Sequence, residues 1–112
     1  MATTVTDEQI QDLVQAAHPF SLVLLRWGPR RRQDGAEAIE REHQRRMVSL
    51  RADGVIAILC PILDDAMAGM AVMTVPVERA QEIIADDPCV RAEMMHSEVY
   101  PCLSFPGDSL PG

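Results

Sequence analysis

The chain has 112 residues, enough for one domain, and 47% of them are hydrophobic, which excludes a disordered polymer. Its formal net charge of −7 argues against the basic surface that nucleic acids require, so we expect no nucleic-acid partner. No apolar run approaches the roughly 20 residues of a membrane-spanning helix, and we expect no membrane partner.

The first element is predicted to be a short amphipathic helix. Thr6 stands three residues before Gln9, the spacing of a capping box, and apolar residues such as Leu13 follow at helical spacing. Pro19 predicts the end of this segment. Residues 1–19 are therefore predicted to form a helical extension that packs on the rest of the chain. Without a basic segment before an apolar core, we expect no signal peptide.

Apolar and amphipathic segments then alternate along the chain. Strands are predicted at residues 20–27, 55–61, 69–75 and 94–105, and helices at residues 36–52 and 77–85. The polar loop 29–35 and the turn around Asp64 and Asp65 connect them, and residues 106–112 are predicted to be a flexible tail. Residues 20–105 thus form the domain proper.

The order β-α-β-β-α-β after an extra helix predicts an α+β fold of the ferredoxin-like arrangement. In such a fold the helices cover one sheet face and the other face alternates apolar and polar residues when it is wet. The second and third strands, VIAILCP and GMAVMTV, are apolar on both sides. A chain this short has nothing left to cover the second face, so we expect a second copy to do so in a homodimer.

His43 lies on an apolar stripe of the long helix. Ile39, Met47 and Leu50 stand at steps of four, four and three with it, so the histidine is predicted to point toward the sheet. A hydrogen-bonded core histidine and a catalytic one both fit this position. The charges elsewhere on the helix are predicted to form i,i+4 pairs such as Glu42 with Arg46.

Asp87 also admits two interpretations. It precedes Pro88 at a helix break, where an aspartate cap with proline at the first helical position is a common start. The second interpretation is an acidic group that orients a histidine.

The remaining polar candidates are weaker. The run Arg30-Arg31-Arg32 fits either a solvated loop or a region that attracts an anionic substrate. Cys60, Cys89 and Cys102 are odd in number and lack the spacing of metal ligands, so we expect structural thiols, no metal and a reducing, cytoplasmic setting.

Three stretches in order resemble the YciI-related family: LVLLRWGP, EREHQRRMVSLRADGVIAILCPI and VPVERAQEIIADDPCVRAEMMHSEVYP. The resemblance covers roughly residues 20–105. It implies a dimeric α+β barrel, in which two four-stranded sheets pack face to face, and an active-site pair that matches His43 and Asp87. The family usually has Gly-Pro at the end of the second strand, where this chain has Cys60-Pro61, so pocket shape is expected to differ from that of relatives.

The leading hypothesis is a cofactor-independent enzyme that isomerises, cyclises or eliminates from a small cyclic organic metabolite. His43 would be the general base or acid and Asp87 would orient its ring. The pocket walls are predicted to include Trp27, Cys60, Met70 and Met73. The alternative is a non-catalytic metabolite-binding or accessory module, in which the same pocket binds a ligand and the pair is structural.

Overall fold

A computed structural model describes residues 2–112 of the chain. In chain order its elements are α1 (Asp7–Gln15), β1 (His18–Trp27), α2 (Ala36–Ala52), β2 (Ile56–Pro61), β3 (Met67–Met73), α3 (Val77–Ala85), α4 (Pro88–Arg91) and β4 (Met95–Ser104). None of these helices combines the length and the apolar character needed to cross a bilayer within the described residues.

The four strands form one antiparallel sheet in the order β2-β3-β1-β4. This order and the α+β composition confirm the predicted ferredoxin-like arrangement. Alternate residues of β1 and β3, among them Val23 and Ala71, are buried on the face that α2, α3 and α4 cover. The core therefore lies between that face and the three helices, and it is built from aliphatic, methionine and cysteine side chains.

The opposite sheet face carries a second set of apolar side chains. Leu22 pairs with Val72, which pairs in turn with Ile58, and Leu24 pairs with Met70 on the same face. These side chains are half-buried, and no helix of the described chain lies over them, although residues 108–110 border Ile58 and Val72. We call this surface the open face.

Two strands begin two residues earlier than predicted. β1 begins at His18 and runs through Pro19. Residues 18–20 pair with β4 alone, so the N–H that Pro19 lacks is not needed for pairing with β3. β3 begins at Met67, two residues early, because the Asp64 carboxylate accepts the backbone N–H groups of Ala66 and Met67 and closes the turn directly before it.

The N-terminal helix forms as predicted but does not pack as predicted. Thr6 and Gln9 make both hydrogen bonds of the capping box, at 3.2 and 2.8 Å. No residue of α1 is buried, however. The expectation that α1 packs on its own chain is therefore wrong, because the two residues Ala16 and Ala17 lead directly into a strand that carries the helix away from the core.

A close backbone approach joins the end of β1 to the start of β4. The Gly28 N–H donates to the carbonyl of Met94 at 2.7 Å, and the Arg30 N–H donates to the carbonyl of Glu93 at 3.2 Å. A Cβ on Gly28 would lie 2.5 Å from the Glu93 carbonyl oxygen, so only glycine fits without a shift. This contact fixes Trp27, the residue before Gly28, against the segment that follows α4.

Candidate functional site

The site is built where α2 meets the short helix α4. His43 lies in the middle of α2 and is 9% exposed, and Asp87 stands immediately before α4 and is completely buried. The His43 Nδ1 lies 2.7 Å from the Asp87 Oδ2, a hydrogen bond between residues 44 positions apart. His43 points inward as its apolar stripe predicts, since Met47, one turn later on the same side of α2, is also buried.

Asp87 fulfils both interpretations that the sequence left open. Its Oδ2 also accepts the backbone N–H of Cys89 at 3.0 Å, so the side chain caps α4. Pro88 occupies the first helical turn, as the capping signal predicts. One oxygen therefore holds the helix start and the imidazole together, and the ring is oriented by a group that cannot rotate without uncapping α4.

Arg46 is a third member of this cluster. Arg46 lies one helical turn after His43, and its Nη1 atom is 3.7 Å from the Asp87 Oδ1. Both of these atoms are buried and have no hydrogen-bond partner in the described chain. The predicted Glu42–Arg46 pair is wrong: Glu42 lies 3.7 Å from Arg45 instead. Arg46 faces inward because a buried carboxylate requires a nearby positive charge.

His43 forms part of the wall of a cavity of about 160 Å³ between α2 and the ends of all four strands. The wall is mainly apolar. Its lining residues are Leu25, Trp27, Glu40, His43, Gln44, Met47, Val48, Leu59, Cys60, Pro61, Ala68, Gly69, Met70 and Met95. A few polar groups on an apolar wall are typical of sites for small organic ligands.

The structure brings most of the predicted site residues together. Trp27, Cys60 and Met70 line the cavity with His43, while Asp87 stands behind the histidine, outside the lining. Met73 does not reach the cavity, because it lies at the far end of β3, beyond the lining residue Met70. There it pairs with Ser21 and Ile56 and is completely buried in the core.

Sequence reasoning missed Glu40 and Gln44, which line the cavity beside His43. Glu40 stands three residues before the histidine and Met47 four residues after it, so the helical periodicity carried this signal. The arginine-rich loop also touches the site indirectly. The Arg31 guanidinium carbon lies 3.7 Å from the ring centroid of Trp27, a cation–π contact that covers one wall residue.

His43, Asp87 and Cys89 each offer a potential metal-ligand atom, all within 4.8 Å of one another. One distance favours hydrogen bonding over metal ligation. Ligands of a tetrahedral zinc ion keep their donor atoms about 3.3 Å apart, whereas Nδ1 and Oδ2 are 2.7 Å apart. Burial, and then the charges of Asp87 and Glu40, raise the pKa of the Cys89 thiol to about 12.

The arrangement is therefore a hydrogen-bonded histidine–carboxylate pair at an apolar cavity. With Nδ1 donating to a carboxylate, Nε2 carries the lone pair and is the ring nitrogen left to exchange a proton with a ligand. No protein-family model matches the chain, and no curated protein matches it either.

The hydrogen bond to Asp87 predicts which imidazole nitrogen of His43 is protonated. Because Asp87 is an obligate acceptor when ionised, neutral His43 should carry its proton on Nδ1. In Asp87→Asn the amide can also donate, so the Nε2-protonated form should appear while the helix cap survives. Two-dimensional ¹⁵N–¹H NMR of the imidazole rings measures both. A wild-type ring protonated on Nε2 and unchanged in the variant would contradict the pairing.

Cys89 is predicted to be unreactive while the chain is folded. Its pKa of about 12 keeps the thiolate fraction negligible at pH 8, and the side chain is completely buried. Iodoacetamide at pH 8 should therefore leave Cys89 unmodified, as read by peptide mass spectrometry. The control is the same treatment in guanidinium chloride, where all three cysteines should react. Equal labelling of Cys89 in both conditions would show that it is accessible and not part of a closed cluster.

Proposed function

We propose that the chain is a YciI-like enzyme that moves protons on a small cyclic organic molecule without a cofactor, in an isomerisation, an elimination or a cyclisation. The observation that carries the proposal is the 2.7 Å hydrogen bond from His43 to a buried carboxylate at the wall of an apolar cavity.

The proposed chemistry uses His43 as both base and acid. Its Nε2 takes a proton from the substrate, and the electron pair of the broken bond stays on the substrate. In an isomerisation or cyclisation the imidazolium then returns a proton at another atom. In an elimination that pair forms the new double bond, the leaving group departs with its own bonding pair, and the imidazolium gives its proton to the leaving group or to water. Asp87 stabilises the imidazolium through the Nδ1–H, and Arg46 balances the carboxylate while the ring is neutral. Proton transfer of this kind contributes about 10²–10⁴-fold to a rate.

The cavity limits the size of the substrate. A dry engineered cavity of about 150 Å³ in another protein accommodates benzene, so about 160 Å³ suits a single ring. The walls from Trp27, Met47 and Met70 offer apolar contact to such a ring. Glu40 and Gln44 supply hydrogen-bonding groups beside His43, which suits a ring that carries a hydroxyl or a carbonyl.

The proposed assembly is a homodimer in which two open faces meet in an α+β barrel. The apolar side chains of Leu22, Ile58 and Val72 stay half-exposed in one chain, and a second copy would remove them from water. The polar side chains on the open face already hydrogen-bond to one another within the chain. Arg26 and Tyr100 both donate to Glu98, and these hydrogen bonds lower the pKa of the Glu98 carboxyl.

A metabolite screen tests the enzyme proposal. Single-ring compounds with hydroxyl or carbonyl groups should raise the melting temperature, since a ligand at about a hundred times its dissociation constant adds about 2.7 kcal/mol. Conversion of each hit, followed by NMR, should fall about 10²–10⁴-fold in His43→Gln. His18→Gln, a change of the same kind at an exposed position, should keep full activity.

Hits that bind the wild type and are never converted would favour the binding-module alternative. Hits that are converted equally by the wild type and His43→Gln would overturn the assigned role of the histidine.

The dimer is tested by light scattering at micromolar concentration. The wild type should give about twice the 12.4 kDa chain mass. Val72→Asp should give a monomer, because it adds a charge at the centre of the open face. Leu63→Asp, at a fully exposed turn residue, should remain dimeric. A wild-type chain that is monomeric with native circular dichroism would overturn the assembly.

A further inference from the structure

The apolar side of α1 is uncovered in a single chain. Ile10, Leu13 and Val14 are 49%, 42% and 51% exposed, and they lie on one side of the helix. A helix of nine residues is marginal in water on its own, even with a complete capping box. A surface that received these three side chains would therefore stabilise the helix.

The chain carries α1 away from its own core. His18 to Phe20 of β1 pair only with β4, so a two-stranded ribbon extends past β3 by about 10 Å. The molecule measures 55 × 32 × 25 Å, and its radius of gyration is 16.6 Å, whereas a compact chain of this length has about 13 Å. Ribbon and helix together form a projecting arm.

The exposed side of α2 offers a matching surface next to the cavity. Val48, which borders the cavity together with Gln44, is 56% exposed and lies within a shallow depression that Arg41, Gln44, Arg45 and Ser49 complete. The only ion pair of these arginines within residues 2–112 is that of Arg45 with Glu42, between two exposed side chains. Exposed ion pairs contribute little free energy, so Arg41 and Arg45 can both bind an acidic element of another chain.

The charge of α1 indicates which kind of surface it can bind. α1 carries Asp7, Glu8 and Asp12 and no basic residue. An acidic amphipathic helix is repelled by anionic lipid and by nucleic acid, both of which recruit basic ones. It is attracted to an arginine-bearing face, and Asp7 lies beside the apolar stripe where it can meet an arginine.

We propose that α1 of one copy packs its Ile10–Leu13–Val14 side on the α2 depression around Val48 of a second copy. The inference rests on the homodimer proposed above and adds a second contact region to it. Two-fold symmetry makes the contact occur twice, so that each subunit gives one arm and receives one. Intramolecular docking is disfavoured because Ala16 and Ala17 alone join α1 to the ribbon that carries it outward.

A charge-pair rescue tests the contact in the full-length chain. Leu13→Lys and Val48→Glu should each raise the dimer dissociation constant about tenfold or more, as measured by sedimentation equilibrium. The double variant should recover most of this loss, because the new charges meet across the interface. Gln15→Lys adds the same charge on the opposite side of α1 and should leave the constant unchanged.

Each outcome decides between the proposals. If both single variants dimerise as the wild type does, or the double variant shows no rescue, the arm contact is overturned while the open-face dimer stands. If the variants lower the melting temperature with an unchanged dissociation constant, α1 docks within its own chain and the inference fails. A monomeric wild type overturns the arm contact together with the dimer, and leaves the His43 chemistry to its own test.

Discussion

A carboxylate without access to solvent must be compensated from inside the protein, and the geometry of the site follows from how Asp87 is compensated. Burying such a charge costs several kcal/mol unless partners surround it. Here the backbone of Cys89, the ring of His43 and the guanidinium of Arg46 converge on its two oxygens. Two of the three come from α2, so the same charge that caps α4 also fixes how the two helices meet.

The short helix α4 depends on this arrangement. Four residues are too few to be helical alone, and the segment is fastened at both ends. At its start Asp87 accepts the Cys89 N–H, and at its end the Gln33 side chain donates to the Ala92 carbonyl at 2.8 Å. Because α4 is rigid, Asp87 presents its oxygen to His43 in one orientation, which is the property that a proton-transferring histidine requires.

Much of the fold and of the candidate site could be predicted from the sequence, because both depend in part on local periodicity. The α+β order followed from apolar runs and breakers, the inward His43 from its stripe, and the cap from Asp87-Pro88. The hydrogen bond between them could not be predicted from local pattern, since it joins residues 44 positions apart. The sequence left a histidine-orienting role as one of two interpretations of Asp87, and the motif resemblance matched that residue with His43.

The errors share a physical origin. Arg46 was paired with the nearest acid on its own helix, Glu42, yet a distant buried charge attracted it more strongly than an exposed neighbour. Met73, predicted to line the pocket, lies at the far end of β3, where strand pairing with Ser21 and Ile56 places it in the core. Packing of α1 was expected because an amphipathic helix needs cover, but helical periodicity does not specify which surface supplies it. In each case the deciding interaction lies outside the local window.

The backbone contact of Gly28 with Met94 has a consequence for how the molecule is made. It joins the first strand of the sheet to the segment before the last, so it forms only when nearly the whole chain is present. Trp27 and Met95, two walls of the cavity, flank this contact and belong to paired strands from opposite ends of the domain. Loop closure over such a sequence separation is slow compared with helix formation. During synthesis the cavity should therefore be among the last features to appear, after α2 has already formed around its histidine.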